Sequence, residues 1–481
     1  MERIVTKEDY VRSLKEMDRV IYYRGERVKD VTEHPAFIPH INSAAKTYEL
    51  ALRPEYEDLL TATSHLTGEK INRFTHIHQS VDDLVKKVKA LRLLAHETGS
   101  CFQRCVGWDA LNATYMTTYE IDEKHGTDYH ARFLEYLKSV QRRNIMLVGG
   151  MTDPKGDRSR PPSQQKDPDL FTRVVEKRSD GIVVRGAKFH QTGAANSHEI
   201  LVMPTMAMGE DDKDYALVCA IPLDAPGVIQ IFGRQTNDER KVECSADIGN
   251  LEYGLIGGES VVIFDDVFVP WERVFMCGET EFTGIFVERF ATLHRQNYGG
   301  CKGGVSDILI GAAALAAQYQ GTLKASHIRD KLAEMTHLVE TLYAGSIACS
   351  AMGQKTKSGA YYPDPLLANC TKYNVTKHIY EISRLAHDIA GGLLATMPSE
   401  RDLKSEEVRK YLEKYLSTVE GVSPEARFKV VRLIENMTGV APLAESMHGA
   451  GSPQTQKVMY ARLGRFDVKM TLAKKLLGIE D

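Results

Sequence analysis

No run in this 481-residue chain reaches the ~18 consecutive apolar residues that a transmembrane helix needs. The nearest stretch, 308–317, is short, rich in small residues and reads as a closely packed core helix. The first residues carry no apolar signal-peptide core, and the two absences together predict a cytoplasmic protein. A basic excess is also missing. The formal net charge is −4 and the pI about 6.5, which excludes a general nucleic-acid binder but leaves room for a local basic patch. There is no glycine-rich phosphate loop at a strand–helix junction, so a Rossmann site is excluded. Internal repeats and low-complexity tails are absent as well. Eight cysteines are present, and in a reducing compartment they do not make a disulfide framework, so their thiols stay available to a metal.

What is present is ordinary globular composition, 43% hydrophobic and 26% charged, in a chain long enough for two or three domains. Residues 1–145 read as helical. A first helix begins at Thr6 or Asp9, and others cover 43–52 and 54–64. The strongest periodic segment is 81–120. Leu84, Val88, Leu91 and Leu94 follow a helical period there, and proline is absent throughout. Residues 146–282 change character: short strand-like runs at 181–189, 200–204, 215–222, 227–232 and 260–269 are separated by turn signals. With no helices alternating between them, they predict an antiparallel β domain. Residues 283–481 return to helix at 286–296, 304–320, 326–352, 366–389, 424–437 and 454–477, a pattern that suits a bundle of long antiparallel helices. The fold class is therefore α+β in the order helical, β, helical.

The chemistry gathers around Cys101-Phe-Gln-Arg-Cys105 and His294-Arg-Gln-Asn-Tyr298-Gly-Gly-Cys301. Inside a helix over 81–120, Cys101 and Cys105 would sit at i and i+4 on one face. His294 and Cys301 are two helical turns apart, with Gly299 and Gly300 letting the backbone bend toward a ligand. Three thiols and an imidazole can close one metal site. Their spacing favours zinc, whereas an iron–sulfur cluster usually has four cysteines, and a histidine corner would leave one iron less firmly held. The competing reading makes the cysteines small core residues, and the residues alone leave the choice open. Tyr298 and Lys302 crowd into the same nine residues. Loop 151–158 and the run His190–His198 offer hydroxyl, amide and backbone N–H groups suited to a flavin, although both also read as plain solvated connections. Glu259 precedes an apolar strand, and Glu445 with His448 sits among glycine, methionine and alanine. Partial desolvation there would raise a carboxyl pKa toward acid–base use.

These segments together resemble the family of 4-hydroxybutyryl-CoA dehydratases, also called vinylacetyl-CoA Δ-isomerases. The family is a flavin and iron–sulfur relative of the 4-hydroxyphenylacetate 3-monooxygenases and acyl-CoA dehydrogenases. The resemblance runs over almost the whole chain, with 401–424 its least certain stretch. It implies an acyl-CoA dehydrogenase-like fold with an N-terminal helical domain (1–145), a flavin-binding middle domain (146–282) and a C-terminal helical bundle (283–481). It implies a [4Fe–4S] cluster on Cys101, Cys105, His294 and Cys301. It implies FAD contacts at Met151, Thr152, Asp153, Arg158, His190, Gln191 and Thr192, with Gly391 and Gly392 approaching the cofactor phosphates from a neighbouring subunit of a homotetramer, a dimer of dimers. The implied reaction is radical dehydration of 4-hydroxybutyryl-CoA to crotonyl-CoA together with vinylacetyl-CoA isomerisation. In it His294 is the base, Tyr298, Glu445 and Glu259 carry protons or orient the hydroxyl, Lys302 adds positive charge and Arg92 does likewise. Two other readings remain: a flavin-dependent aromatic monooxygenase on the same fold, which has no use for the cysteine set, and a scaffold clamped by a structural Cys3His zinc.

Overall fold

The structure, a computed structural model, describes residues 3–234 and 252–479. Thr6 caps the first helix, α1 (Lys7–Lys15), with a reciprocal Thr6–Asp9 capping box, as the sequence leads one to expect. The chain then makes a hairpin, β1 (Val20–Tyr23) and β2 (Glu26–Val28), and a second helix, α2 (Ile38–Leu50). Residues 54–64 are not a helix. A 3-10 turn and one short helical turn run into a strand at Thr61–Thr63.

The periodic segment 81–120 is two helices, α3 (Val81–Thr98) and α4 (Cys105–His125). Gly99 closes α3 in the left-handed conformation, φ 61°, and Gln103 sits at φ 68°. The intervening loop turns the chain, so Cys101 lies on the loop and Cys105 opens α4. The expected i, i+4 pairing of these two cysteines on one helix face does not exist. Helix α5 (Tyr129–Arg143) follows.

Ten strands form two sheets. To β1 and β2 the middle of the chain adds β3 (Leu147–Gly150), β4 (Arg173–Lys177), β5 (Gly181–Thr192), β6 (Glu199–Val202), β7 (Leu217–Pro222), β8 (Val228–Phe232), β9 (Glu259–Pro270) and β10 (Val274–Cys277). One sheet has the order β2-β1-β8-β9-β5-β4, the other β10-β7-β6-β3. Most pairings are antiparallel, but β1 runs parallel to β8 and β3 parallel to β6, so the expectation of a purely antiparallel domain is corrected in two places. Both exceptions bring in a strand that follows or precedes a helical stretch, and a parallel partner needs such a crossover. Strand β9 alternates buried and open residues, the signature of one buried face. Val262, Phe264 and Val184 from its sheet meet Ile200, Val202 and Ile221 from the other in a sandwich core. Strands β6 and β7 are buried almost throughout, because α4 and α5 cover the outer side of their sheet.

The C-terminal half is built on α6 (Thr283–Tyr319), α7 (Ser326–Ala351) and α8 (Pro365–Ala390), followed by α9 (Glu406–Tyr415), α10 (Pro424–Met437), α11 (Val440–His448), α12 (Pro453–Leu463) and α13 (Phe466–Leu477). The last expected helix is divided between α12 and α13 at Gly464, with Arg465 at φ 49°. Helix α6 runs for 37 residues without a break. Gly299 and Gly300 are not a turn. A Cβ at Gly299 would lie 2.1 Å from the Leu342 carbonyl oxygen, and one at Gly300 would lie 2.6 Å from that of Val88. The two glycines let α7 and α3 press against α6 from two sides. By length and composition α6 is apolar enough to cross a membrane, but 56% of that apolar window is buried inside the molecule. It is the axis on which α3, α4, α7, α8 and α10 pack.

Candidate active site

Helix α6 presents His294, Tyr298, Cys301 and Lys302 along about two turns. The loop before α4 brings Cys101, and the first turn of α4 brings Cys105. Burial pushes the thiols of Cys101 and Cys105 up from their ordinary range and that of Cys301 up to about 11. After burial, the strongest influence on Cys105 is Cys101, and Cys301 raises both, so the three share one small volume. All three are free cysteines; backbone hydrogen bonds from Gln103 to Cys101 and from Lys302 to Cys301 pull against the effect of burial. They are not drawn to a single point: among the described residues no three His, Cys, Asp or Glu side chains are close enough to hold one metal ion.

His294 is held from behind. Its Nδ1 lies 2.8 Å from Asp109 Oδ2, to which Asn297 Nδ2 also donates at 2.6 Å. The other oxygen of Asp109 is paired with the Lys87 ammonium, and both side chains are completely buried. Lys87 also donates to the Leu293 carbonyl at 3.0 Å. With Nδ1–H donated to a carboxylate, Nε2 is the nitrogen left open, and it has no partner among the described residues. The ring stacks on Phe290 and meets Tyr298 edge-on, with centroids 5.7 Å apart.

Lys302 donates to Glu445, which α11 carries across from the far side of the bundle. Burial alone would lower the ammonium, but Glu445 and the Cys301 and Cys101 thiols outweigh it and hold Lys302 above the usual lysine range. Tyr298 is buried, and that burial, reinforced by Glu445, pushes its hydroxyl well above the usual phenol range. Gly449 abuts the hydroxyl so closely that a Cβ there would lie 1.9 Å from it. Lys372 lies over the Tyr298 ring, 4.4 Å from its centroid, and donates to the carbonyls of Ser446 and Met447 at the end of α11. Burial lowers its pKa to about 7.

Glu259 and Thr192 are cross-strand partners at the ends of β9 and β5. Thr192 Oγ1 donates to Glu259 Oε1 at 2.7 Å, while Oε2 is buried without a partner. Burial pushes the carboxyl up to about 8, against the Thr192 bond and helped by Glu445. Next along β5, Gln191 keeps a buried Oε1 without a partner, and His190 adopts φ 57°. Burial, then Lys155 and His448, lower the His190 pKa, which puts the end of α11 beside β5.

The remaining residues singled out from the sequence divide. Asp153 is tied inward: its Oδ1 lies 2.9 Å from Lys188 Nζ, which also donates to the carbonyls of Met151 and Met203. The Thr152 carbonyl accepts from the Phe189 N–H, so loop and strand are laced together, and Arg158 stands exposed beyond them. Gly391, at φ 75°, and Gly392 end α8 in open space. They lie 19 residues beyond Lys372 on that helix, roughly 28 Å at the helical rise, so they cannot reach this chain's own site. Arg92 gives its guanidinium to Asp307 and Glu340. Lys87, Asp109, Asn297 and Lys372 escaped sequence reasoning. Their one signal was Lys87, a cation on the apolar stripe of Leu84, Val88 and Leu91.

Comparison with known proteins places the chain in a family. The profile described as 4-hydroxyphenylacetate 3-hydroxylase N terminal matches residues 6–276, and its C-terminal counterpart matches 283–478. The 4-hydroxybutyryl-CoA dehydratase/vinylacetyl-CoA-Δ-isomerase of Clostridium aminobutyricum is 55% identical over 99% of this chain and 100% of its own length. A solved oxygen-tolerant archaeal 4-hydroxybutyryl-CoA dehydratase from N. maritimus superposes with a TM-score of 0.97 at 53% identity, covering 100% of this chain and 96% of its own. The oxygenase component of a 4-hydroxyphenylacetate 3-monooxygenase, solved with FAD, shares the fold at TM-score 0.84 and 24% identity, covering 99% and 100%. A glutaryl-coenzyme A dehydrogenase shares it more distantly, at TM-score 0.51 and 13% identity over 85% and 82%. The chain belongs to the 4-hydroxyphenylacetate 3-hydroxylase family and, within it, to the family of the 4-hydroxybutyryl-CoA dehydratase/vinylacetyl-CoA-Δ-isomerase of C. aminobutyricum.

Proposed function

We propose that the protein dehydrates 4-hydroxybutyryl-CoA to crotonyl-CoA and isomerises vinylacetyl-CoA, as a cytoplasmic enzyme that carries FAD and a [4Fe–4S] cluster. The observation that supports this best is the gathering of three free thiols with the open Nε2 of His294, next to the Lys302–Glu445 pair. An aromatic monooxygenase on this fold would leave those thiols without a task. Three thiols and an imidazole offer one donor for each corner of a [4Fe–4S] cluster. Cys101, Cys105, Cys301 and His294 would hold it. Strand β5 at His190–Thr192 and loop 151–158, braced by the Asp153–Lys188 pair, would hold the flavin in the middle domain, 146–282. When bound, the two groups supply a one-electron acceptor and a Lewis-acidic iron for the C4 hydroxyl.

The chain's own residues handle position and protons. Asp109 keeps the Nδ1–H of His294 occupied, so Nε2 serves either as ligand or as base, one role at a time. The C2 proton, made acidic by the thioester, is the one within its chemical reach. Glu259, with a pKa of about 8, is protonated at neutral pH and can give a proton up; its Oε2 has no competing partner. Lys302, kept cationic by Glu445, offers N–H donors to the oxygen that leaves C4. Tyr298, neutral and buried against Gly449, orients the substrate and does not ionise. Gly391 and Gly392 would meet the flavin phosphates of a neighbouring copy in a homotetramer.

The test is iron, acid-labile sulfide, zinc and flavin content of protein purified without oxygen, followed by assay with both thioesters. About four irons and four sulfides per chain with one flavin, and turnover of 4-hydroxybutyryl-CoA, are expected. Flavin without iron after reconstitution would turn the reading toward the monooxygenase. Zinc without flavin would overturn it.

A further inference from the structure

A small cavity beside Lys302 lies between α6, α8, α10 and α11, with Leu255 also in its wall. Its volume is about 20 Å³. A single water needs roughly 10–15 Å³ of such space together with two or more polar partners. The walls are mostly apolar, with Leu309, Met437 and Leu443 among them, but Lys302, Ser306 and Ser446 also line it. Ser306 follows Lys302 by one helical turn, so the two share a face of α6. Its hydroxyl is completely buried and has no hydrogen-bond partner among the described residues. A buried unpaired hydroxyl carries a desolvation penalty that a bound water relieves. Ser446 donates its hydroxyl proton to the Pro442 carbonyl at 2.7 Å and keeps acceptor capacity.

We propose that this cavity is a single-water site and that it receives the water released by dehydration, an inference that rests on the function proposed above. Loss of water from 4-hydroxybutyryl-CoA breaks the C4–O, C2–H and C3–H bonds and forms one C4–H bond, so one of the two protons released leaves in the water and the other ends on C4. The hydroxyl leaves with one proton as H2O, and crotonyl-CoA forms with no net oxidant. Lys302 is common to the reacting site and the cavity. A water moving from one to the other gains the Ser306 hydroxyl, which is otherwise unpaired. Apolar walls offer it no way to bulk through the bundle, so it returns past Lys302 before the next turnover. Isomerisation of vinylacetyl-CoA releases no water and has no need of the cavity.

That difference gives the test. Ser306→Val fills the space and removes the hydroxyl; Ser306→Ala removes the hydroxyl and leaves the space. Both are assayed with 4-hydroxybutyryl-CoA and vinylacetyl-CoA on protein matched for iron and flavin. The ratio of dehydration to isomerisation should fall about tenfold in Ser306→Val, the worth of a displaced ordered water, and less in Ser306→Ala. An unchanged ratio in both variants, or equal loss of both activities, would overturn the proposal. A crystal structure of the wild-type protein gives an arm that needs no turnover. An ordered water within hydrogen-bond reach of Ser306 Oγ, absent from Ser306→Val, is expected, and a dry cavity overturns the inference whatever the activity. Wild-type protein that holds the water but turns over neither thioester would mark the failure as that of the proposed function.

Discussion

Lys87 and Asp109 form an ion pair with no exposed surface, and such a pair is a costly thing to bury. Its geometry shows what it does: one carboxylate oxygen takes the lysine, the other orients His294 and Asn297. Asp109→Asn leaves the Lys87 charge buried without an anion. It should destabilise the cofactor-free protein by about 3–5 kcal/mol in chemical denaturation. It should also weaken iron retention by about 10–100-fold, because the His294 tautomer is no longer set. Adding Lys87→Met should restore much of the stability and none of the iron retention. Normal iron content in Asp109→Asn would remove Asp109 from the site. Lys372 works in a similar way on α11, fastening its last carbonyls above Tyr298.

At the scale of elements, α6 decides the site because it is unbroken. His294 and Cys301 stay on one face only while the helix continues through Gly299 and Gly300. Ser346 of α7 stands in the gap, accepting from the Gly299 N–H at 3.0 Å and donating to the Gln296 carbonyl at 2.7 Å. Gly299→Ala gains about 1 kcal/mol of helix propensity but drives a methyl into the Leu342 carbonyl and the Ser346 hydroxyl. Overpacking against backbone should outweigh that gain, for a net loss of about 2 kcal/mol in thermal or denaturant unfolding. A more stable Gly299→Ala protein would mean that α7 can move away at no cost.

At the scale of the whole molecule, the last helix is the most exposed apolar element among those described. Helix α13 buries none of its residues, and Met470, Leu472, Leu476 and Leu477 are all more than half exposed. Gly391 and Gly392 point the same way, since they are too far from this chain's site to serve it. An apolar face of this kind fits a second copy in a homo-oligomer. Leu472→Asp with Leu476→Asp should therefore lower the mass found by sedimentation velocity, with loss of flavin. Unchanged mass and flavin content would exclude α13 from the interface.

The sequence by itself determined where helices and strands lie along most of the chain, because a 3.6-residue or 2-residue period is a local property. It also brought the candidate donors Cys101, Cys105, His294 and Cys301 into view, and left open whether they hold a metal. The breaks were harder to read. Apolar residues continue in phase from Leu94 to Cys105, so the period runs across a turn that Gly99 and Gln103 make, and Gly299-Gly300 looks like a turn where it is a packing surface. Only the tertiary structure decided which charges are buried. Lys87 and Asp109 are 22 residues apart and find each other across two helices, while Lys302 and Glu445 are 143 apart. Pairing of that kind depends on how helices cross, and no stretch of sequence carries the crossing.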